Sequence, residues 1–399
     1  MKPSPLRWGI AALLFGATAI NYIDRQTLSV AAPYIRESLA IDNEGYGYAV
    51  GSFLAAYTVM HVVAGRVLDA IGTRAGFALA VAWWSVAAML HAFSRGVASL
   101  CAFRFLLGVG EAGNFPAAIK CVGEWFRESE WALATGIFNT GAAIGAMIAP
   151  PLVAWLVVRV GWRAAFVLTG ALGFLWMIAW LLLYRRPPAD PSATSAPAPT
   201  MGLARLIRQR PILGLGLARF ISDPVWYFYV FWLPSYLKDV RHFSLAEVGY
   251  FAWIPFLTAD LGSLAGGVAS SWLIRRGWPV FRARQAAMLA SALLMPAALF
   301  AARAEHPAVA VAWISLATFG HQSWSANLLT LPADLLPSSS VASAYGLAGG
   351  AGSLGASLVS FGLGHVVSRL SYQPVFVWAG FMHPLAAVII LLTVRKKIE

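Results

Sequence analysis

Apolar runs recur along all 399 residues of this chain, and each is long enough, at about 18 residues or more, to cross a bilayer core roughly 30 Å thick. In lipid every backbone donor and acceptor must be satisfied internally, so long continuous apolar runs select transmembrane helices. Composition agrees, with 59% hydrophobic and 12% charged residues, a balance unlike that of a water-soluble domain. We read an all-α polytopic membrane protein with twelve spans: 8–33, 45–66, 75–93, 97–121, 131–158, 163–184, 211–237, 246–274, 281–302, 307–330, 341–367 and 373–394. The first span is too long and too polar for a cleaved signal peptide and is expected to remain in the mature protein.

The net charge of +12 is explained by topology rather than by nucleic acid. With the N-terminus inside, the cytoplasmic side receives a large excess of Lys and Arg, including Lys2, Arg7, Arg66, Arg74, Lys120, Arg127, Arg185, Arg186, Arg275, Arg276 and Arg395. The other side receives Arg36, Arg95, Arg159, Arg163, Lys238, Arg241, Arg303 and Arg369. Retention of basic loops places both termini in the cytoplasm. Cys101 and Cys121 lie twenty residues apart on one expected span, about 30 Å along a helix, and cannot pair with each other.

The segment RRPPADPSATSAPAPT, from Arg185, is rich in Pro, Ala and Ser and leads into the basic LARLIRQR, so residues 185–210 read as a cytoplasmic linker. It separates an N-terminal six-helix bundle, 1–184, from a C-terminal one, 211–399. GIFNTGAAIGA and GLAGGAGSLGA repeat across the halves, with Gly136 and Gly145 matching Gly346 and Gly355 at a constant offset of 210. Weak internal repetition of this kind accompanies transporters built from related halves.

Ionisable residues inside spans are costly, roughly 2.5–3.5 kcal/mol each on insertion scales, and usually pair or line a polar cavity. Asp24, Arg25, Arg104, Glu111, Arg219, Asp223 and Asp260 all fall there. Within NYIDR, Asn21 and Tyr22 share a helix face with Arg25, which suits an anionic ligand because a guanidinium fork bonds a carboxylate and a phenol adds a hydroxyl and a ring. Asp24 points about 100° away, towards another partner. Arg104 and Glu111 stand seven apart on one face, about 10 Å from end to end, with Gly108 between them. Movement of an arginine relative to a carboxylate in low-dielectric surroundings changes the carboxylate's hold on a proton, which is the physical basis of proton coupling. A static bridge from Arg104 to Asp24 is the alternative use of the same residues.

In the second half, SDPVWYFYVFWLP offers Trp226 to cover the apolar face of a sugar, while HQSWSAN supplies Gln322, Trp324 and Asn327 for hydroxyls. Tyr57 and Asn139 are further candidates, and His321 reads as a packing or gating residue.

Several of these stretches carry a resemblance. GRVLDAIGTRAG, with Gly65, Asp69, Gly72 and Arg74, resembles the loop signature of the major facilitator superfamily, and RFLLGVGEAGNFP resembles its fourth-helix pattern. NYIDR, the pair Arg104 and Glu111, and WRAAFVLTG resemble the anion:cation symporter family. AYTVMHVVAGRVLD, ARFISDPVWYFYVFWLPSYL and GHQSWSANLLTLPADLLP are similar to bacterial hexuronate transporters. The resemblance implies two pseudo-symmetric six-helix bundles and proton-coupled import of an anionic sugar acid by alternating access. It implies proton coupling at Asp24, with Arg104 and Glu111, and a conformational latch at Gly65, Asp69 and Arg74. It also implies a monomer in the bacterial cytoplasmic membrane. The eleventh span departs from those relatives, several of which carry a substrate-contacting asparagine where YGLAGGAGSLG has glycines.

Other classes are disfavoured. The seven histidines show no ligand spacing, no nucleophile stands beside a base, and no phosphate-cradling loop with Lys-Ser or Lys-Thr is present. We therefore expect no enzyme, no cofactor, no metal and no ATP-driven step. Another organic anion as substrate, such as an aldonate or aldarate, and a nontransporting membrane sensor remain the alternatives.

Overall fold

The computed structural model describes residues 6–127, 130–185, 202–336 and 338–394, and among them every regular element is a helix. In chain order these are α1 (Leu6–Leu39), α2 (Asn43–Ile71), α3 (Thr73–Leu90), α4 (Val97–Glu111), α5 (Asn114–Trp125), α6 (Trp131–Leu183), α7 (Leu203–Ile207) and α8 (Arg210–Asp239). They continue with α9 (Leu245–Phe251), α10 (Ile254–Arg275), α11 (Val280–Ala292), α12 (Ala297–Arg303), α13 (Pro307–Leu328), α14 (Leu331–Leu335), α15 (Ser338–Leu370) and α16 (Gln373–Thr393). Each of the twelve expected spans has its helical counterpart. Among the described residues, seven helical stretches are long and apolar enough by composition alone to cross a membrane, one of them α6, which covers two expected spans. Most of the expected linker, 186–201, lies outside the described residues.

Prolines account for the interrupted segments. The breaks between α4 and α5, α9 and α10, α11 and α12, and α13 and α14 are followed at once by Pro116, Pro255, Pro296 and Pro332. Proline lacks the N–H of the helical ladder and is best accommodated in the cap or first turn of a new helix, so at these four breaks the helix arriving from upstream stops just before it. One interruption therefore puts Cys101 on α4 and Cys121 on α5, where the sequence suggested a single helix. Pro150 and Pro151 lie inside α6 without ending it.

The 53-residue α6 turns instead at Gly161, whose φ of 81° and ψ of 160° belong to a region open almost only to glycine. Gly161→Ala is expected to destabilise the protein by about 1–3 kcal/mol through backbone strain alone, since nothing lies within 4 Å of where its Cβ would stand. A thermal melt of the purified variant measures this.

Helices touch through glycine. A Cβ on Gly141 or Gly145 of α6 would collide with the Phe15 and Ala19 carbonyls of α1, and one on Gly355 of α15 with the Phe220 carbonyl of α8. Backbones at such contacts approach as closely as the absent side chain permits. The repeat thus has a physical basis at Gly145 and Gly355. Its other pair, Gly136 and Gly346, has nothing within 4 Å of a Cβ in either half.

The chain divides into two compact units. One comprises the chain up to Asp190 together with Phe231–Trp253, and the other comprises Pro191–Val230 with Ile254–Glu399.

Candidate functional site

Five of the polar candidates of the first unit meet on α1, α2 and α4. Arg25, with only 3% of its surface exposed, donates from Nε to Glu111 Oε2 at 2.8 Å and from Nη2 to Asn21 Oδ1 at 3.2 Å. Its guanidinium stands 4.8 Å from the Tyr22 ring, 4.9 Å from Tyr57 and 5.3 Å from Phe53, within cation–π range of all three. The i, i+4 spacing of Asn21 and Arg25 does what the sequence suggested. Glu111, on the same face of α4 as Arg104, bonds Arg25 across 86 positions of chain.

Arg104 is fully buried, and none of its three guanidinium nitrogens has a hydrogen-bond partner among the described residues. It is held between the Phe53 ring at 4.4 Å and the Phe231 ring at 5.4 Å. Asp24 is equally buried, and neither carboxylate oxygen has a hydrogen-bond partner among the described residues, so the bridge from Arg104 to Asp24 is not formed. Glu111 Oε1 and Asn21 Nδ2 are likewise unpartnered there. Buried polar groups are rarely left unsatisfied in native structures, and Asp24, Arg104, Glu111 and Asn21 each carry such an atom among the described residues.

Sequence reasoning missed Phe53, which faces both arginines, and Tyr46, whose hydroxyl donates to the Phe231 carbonyl at 2.6 Å. A period of apolar residues on α2 gives no hint that one ring is a cation platform. Asn139, on α6, is exposed and belongs to no part of this cluster.

In the second unit the candidates separate by burial. Trp226 and Gln322 are half-buried, whereas Trp324 and Asn327 are enclosed. The Asn327 amide donates to the Gly266 and Ser323 carbonyls at 3.0 and 3.2 Å, tying α13 to α10. Trp324 packs in the apolar core with Met288, Leu328 and Ile390. His321 gains a definite role: its ring stacks on Trp226 with centroids 5.2 Å apart and planes 8° apart, and its Nδ1 shares a 2.9 Å hydrogen bond with His383 Nε2.

The loop between α2 and α3 turns at Gly72, with φ 80°. Asp69 pairs with Lys120 Nζ at 2.6 Å, Arg74 Nη2 donates to the Leu181 carbonyl at 2.6 Å, and Gly65 has nothing within 4 Å of a Cβ. In the second unit Ser270 accepts a bond from Arg284, which pairs with Asp334 at 3.1 Å. Because 75% of the Asp69 side chain is exposed, Asp69→Asn is expected to cost less than about 1 kcal/mol of stability. Lost transport with an unchanged melting temperature would assign Asp69 a conformational role.

Comparison with known proteins is consistent with this architecture. The Major Facilitator Superfamily profile matches residues 14–360. The hexuronate transporter of Escherichia coli K12 is 34% identical, covering 99% of this chain and 96% of its own. The galacturonate transporter of Dickeya chrysanthemi is 34% identical over 67% of this chain and 82% of its own. Among solved structures, a D-xylose-proton symporter superposes with a TM-score of 0.79 at 14% identity over 98% of both chains. A bacterial homologue of the human lysosomal transporter Spinster gives 0.76 at 18% identity, over 98% of this chain and 96% of that one. With helices throughout, apolar spans along its length and a superfamily match over most of its residues, this chain is an integral membrane protein, a transporter rather than an enzyme, and a member of the Major Facilitator Superfamily.

Proposed function

We propose that this transporter imports an anionic sugar acid, a hexuronate such as glucuronate or galacturonate, in symport with protons. Alternating access would involve the two bundles 1–184 and 211–399 joined by the linker 185–210, with both termini cytoplasmic and the chain monomeric in a bacterial inner membrane. The observation that carries the reading is the Arg25 cluster: a caged guanidinium bonded to one oxygen of Glu111, beside buried polar groups with unmet bonds on Asp24, Arg104, Asn21 and Glu111 itself. The relatives add support, being named for transport of hexuronate and galacturonate, with a D-galactonate transporter at 27% identity over 94% of the chain.

In this mechanism Arg25 takes the carboxylate of the cargo, and Tyr22 and Tyr57 flank it. A proton on Glu111 loosens its hold on Arg25 and frees the guanidinium for the incoming anion; loss of that proton restores the internal pair and expels the cargo. Asp24 carries the coupled proton beside it, and Arg104 holds the local charge in balance. Trp226, Gln322 and Asn139 are the further candidates for the sugar's apolar face and hydroxyls, while Trp324 and Asn327 pack within their own unit. Gly65, Asp69 and Arg74 act in the latch.

Labelled glucuronate uptake into proteoliposomes tests this. An inward proton gradient is expected to drive accumulation in wild type, while Asp24→Asn keeps exchange and loses accumulation. Uptake of galactonate or glucarate in place of glucuronate would reassign the substrate, and accumulation indifferent to collapse of the gradient would remove proton coupling.

A further inference from the structure

One ion pair inside a span has no part in the Arg25 cluster. On α8 of the second unit, Arg219 donates from Nε and from Nη2 to the same oxygen, Asp223 Oδ2, at 2.9 and 2.8 Å. The pair is reachable, its side chains 16% and 17% exposed, against 4% and 0% for Arg25 and Glu111. Arg219, Asp223, Trp226 and Tyr227 follow the spacing i, i+4, i+7, i+8 and are all half-buried, so they form one accessible stripe along α8. The Tyr345 ring flanks the guanidinium at 5.7 Å.

The neighbouring helix is shaped around this pair. A Cβ on Gly352 of α15 would collide with Asp223 Oδ2, and one on Gly349 would come within 3.3 Å of Arg219 Nη1. The glycines of α15 therefore open a recess that the two charged heads occupy.

Arg219 lies seven residues before Trp226, about 10 Å along the helix towards the end of α8 that is cytoplasmic in the proposed topology.

We propose that Arg219 is a second anion-binding position, a brief halt for the carboxylate of the transported acid between the Trp226 level and the cytoplasm, where the cargo displaces Asp223 as the resident anion. This inference rests on the sugar-acid reading above. Both guanidinium bonds go to one oxygen, and an arriving carboxylate can take them one at a time. Because the newcomer replaces an internal counterion, which is left unpaired, binding is weak and short-lived, as release requires.

The test uses full-length protein in lipid nanodiscs with two probes, sodium acetate as a bare carboxylate and labelled glucuronate as cargo. Asp223→Asn removes the competitor and is expected to increase stabilisation by acetate, tighten glucuronate binding by about threefold or more, and slow uptake in proportion. Adding Arg219→Gln to that variant should return the acetate response to the wild-type value or below. Gly352→Ala pushes the Asp223 carboxylate aside without changing charge and should act in the same direction as Asp223→Asn, which keeps the test open if Asp223→Asn does not fold. Acetate responses identical in wild type, Asp223→Asn and Gly352→Ala would overturn the proposal and leave the pair a clasp between α8 and α15. An acetate response that follows Arg219, without glucuronate binding by any variant, would keep the subsite and overturn the hexuronate reading. Arg25-dependent glucuronate binding without that acetate response would do the reverse.

Discussion

Arg25→Ala is expected to reduce sugar-acid uptake at least about 30-fold, because truncating a buried, hydrogen-bonded charge typically costs 2–5 kcal/mol of binding. It should also destabilise the protein. Glu111, fully buried, would lose the donor that holds Oε2, and removing one partner of a buried pair costs about 3–5 kcal/mol. The double variant Arg25→Ala, Glu111→Gln removes both charges and is expected to recover most of the melting temperature and none of the transport. That split separates a role in binding from a role in holding α1 to α4. Arg25→Lys keeps the charge but not the fork, and should retain stability better than uptake. Uptake by the double variant approaching the wild-type rate would overturn the assignment of Arg25.

Gly145→Ala is expected to be nearly as damaging, although it adds one methyl group. The new Cβ would meet the Ala19 carbonyl, lie 2.9 Å from Ala19 Cα and lie 3.0 Å from Tyr22 Cβ, none of which can swing away as a flexible side chain would. Overpacking of this kind costs about 1–3 kcal/mol or more, and here it pushes α1 outwards at the turn that carries Tyr22 and Arg25. Gly136→Ala on the same helix meets nothing within 4 Å and gains helix propensity of up to about 1 kcal/mol. Opposite shifts in melting temperature are therefore expected from the same chemical change nine residues apart. Uptake should fall with Gly145→Ala and persist with Gly136→Ala.

These two residues mark how far sequence reading reached. The face shared by Asn21 and Arg25 was legible because it depends only on the 3.6-residue period within one helix, and the structure forms the bond between them at 3.2 Å. The period also placed Arg104 and Glu111 on one face of α4, yet the two are not bonded to each other. Periodicity says which residues look the same way and is silent about what they look at. Likewise the repeat identified Gly136 and Gly145 together, and only packing distinguishes them.

Sequence by itself determined the transmembrane helical class and the charged residues that must be accounted for inside lipid. Both follow from local free energies: the satisfaction of the backbone and the transfer cost of a charge. Tertiary structure alone decided partnership. It gave Arg25 to Glu111, placed Arg104 between Phe53 and Phe231, joined Asp69 to Lys120, and set His321 against Trp226 and His383. Those partnerships depend on how each helix is rotated and shifted against its neighbours. Close glycine contacts and ring packing between residues far apart in the chain fix that rotation, and no window of sequence contains both sides of it.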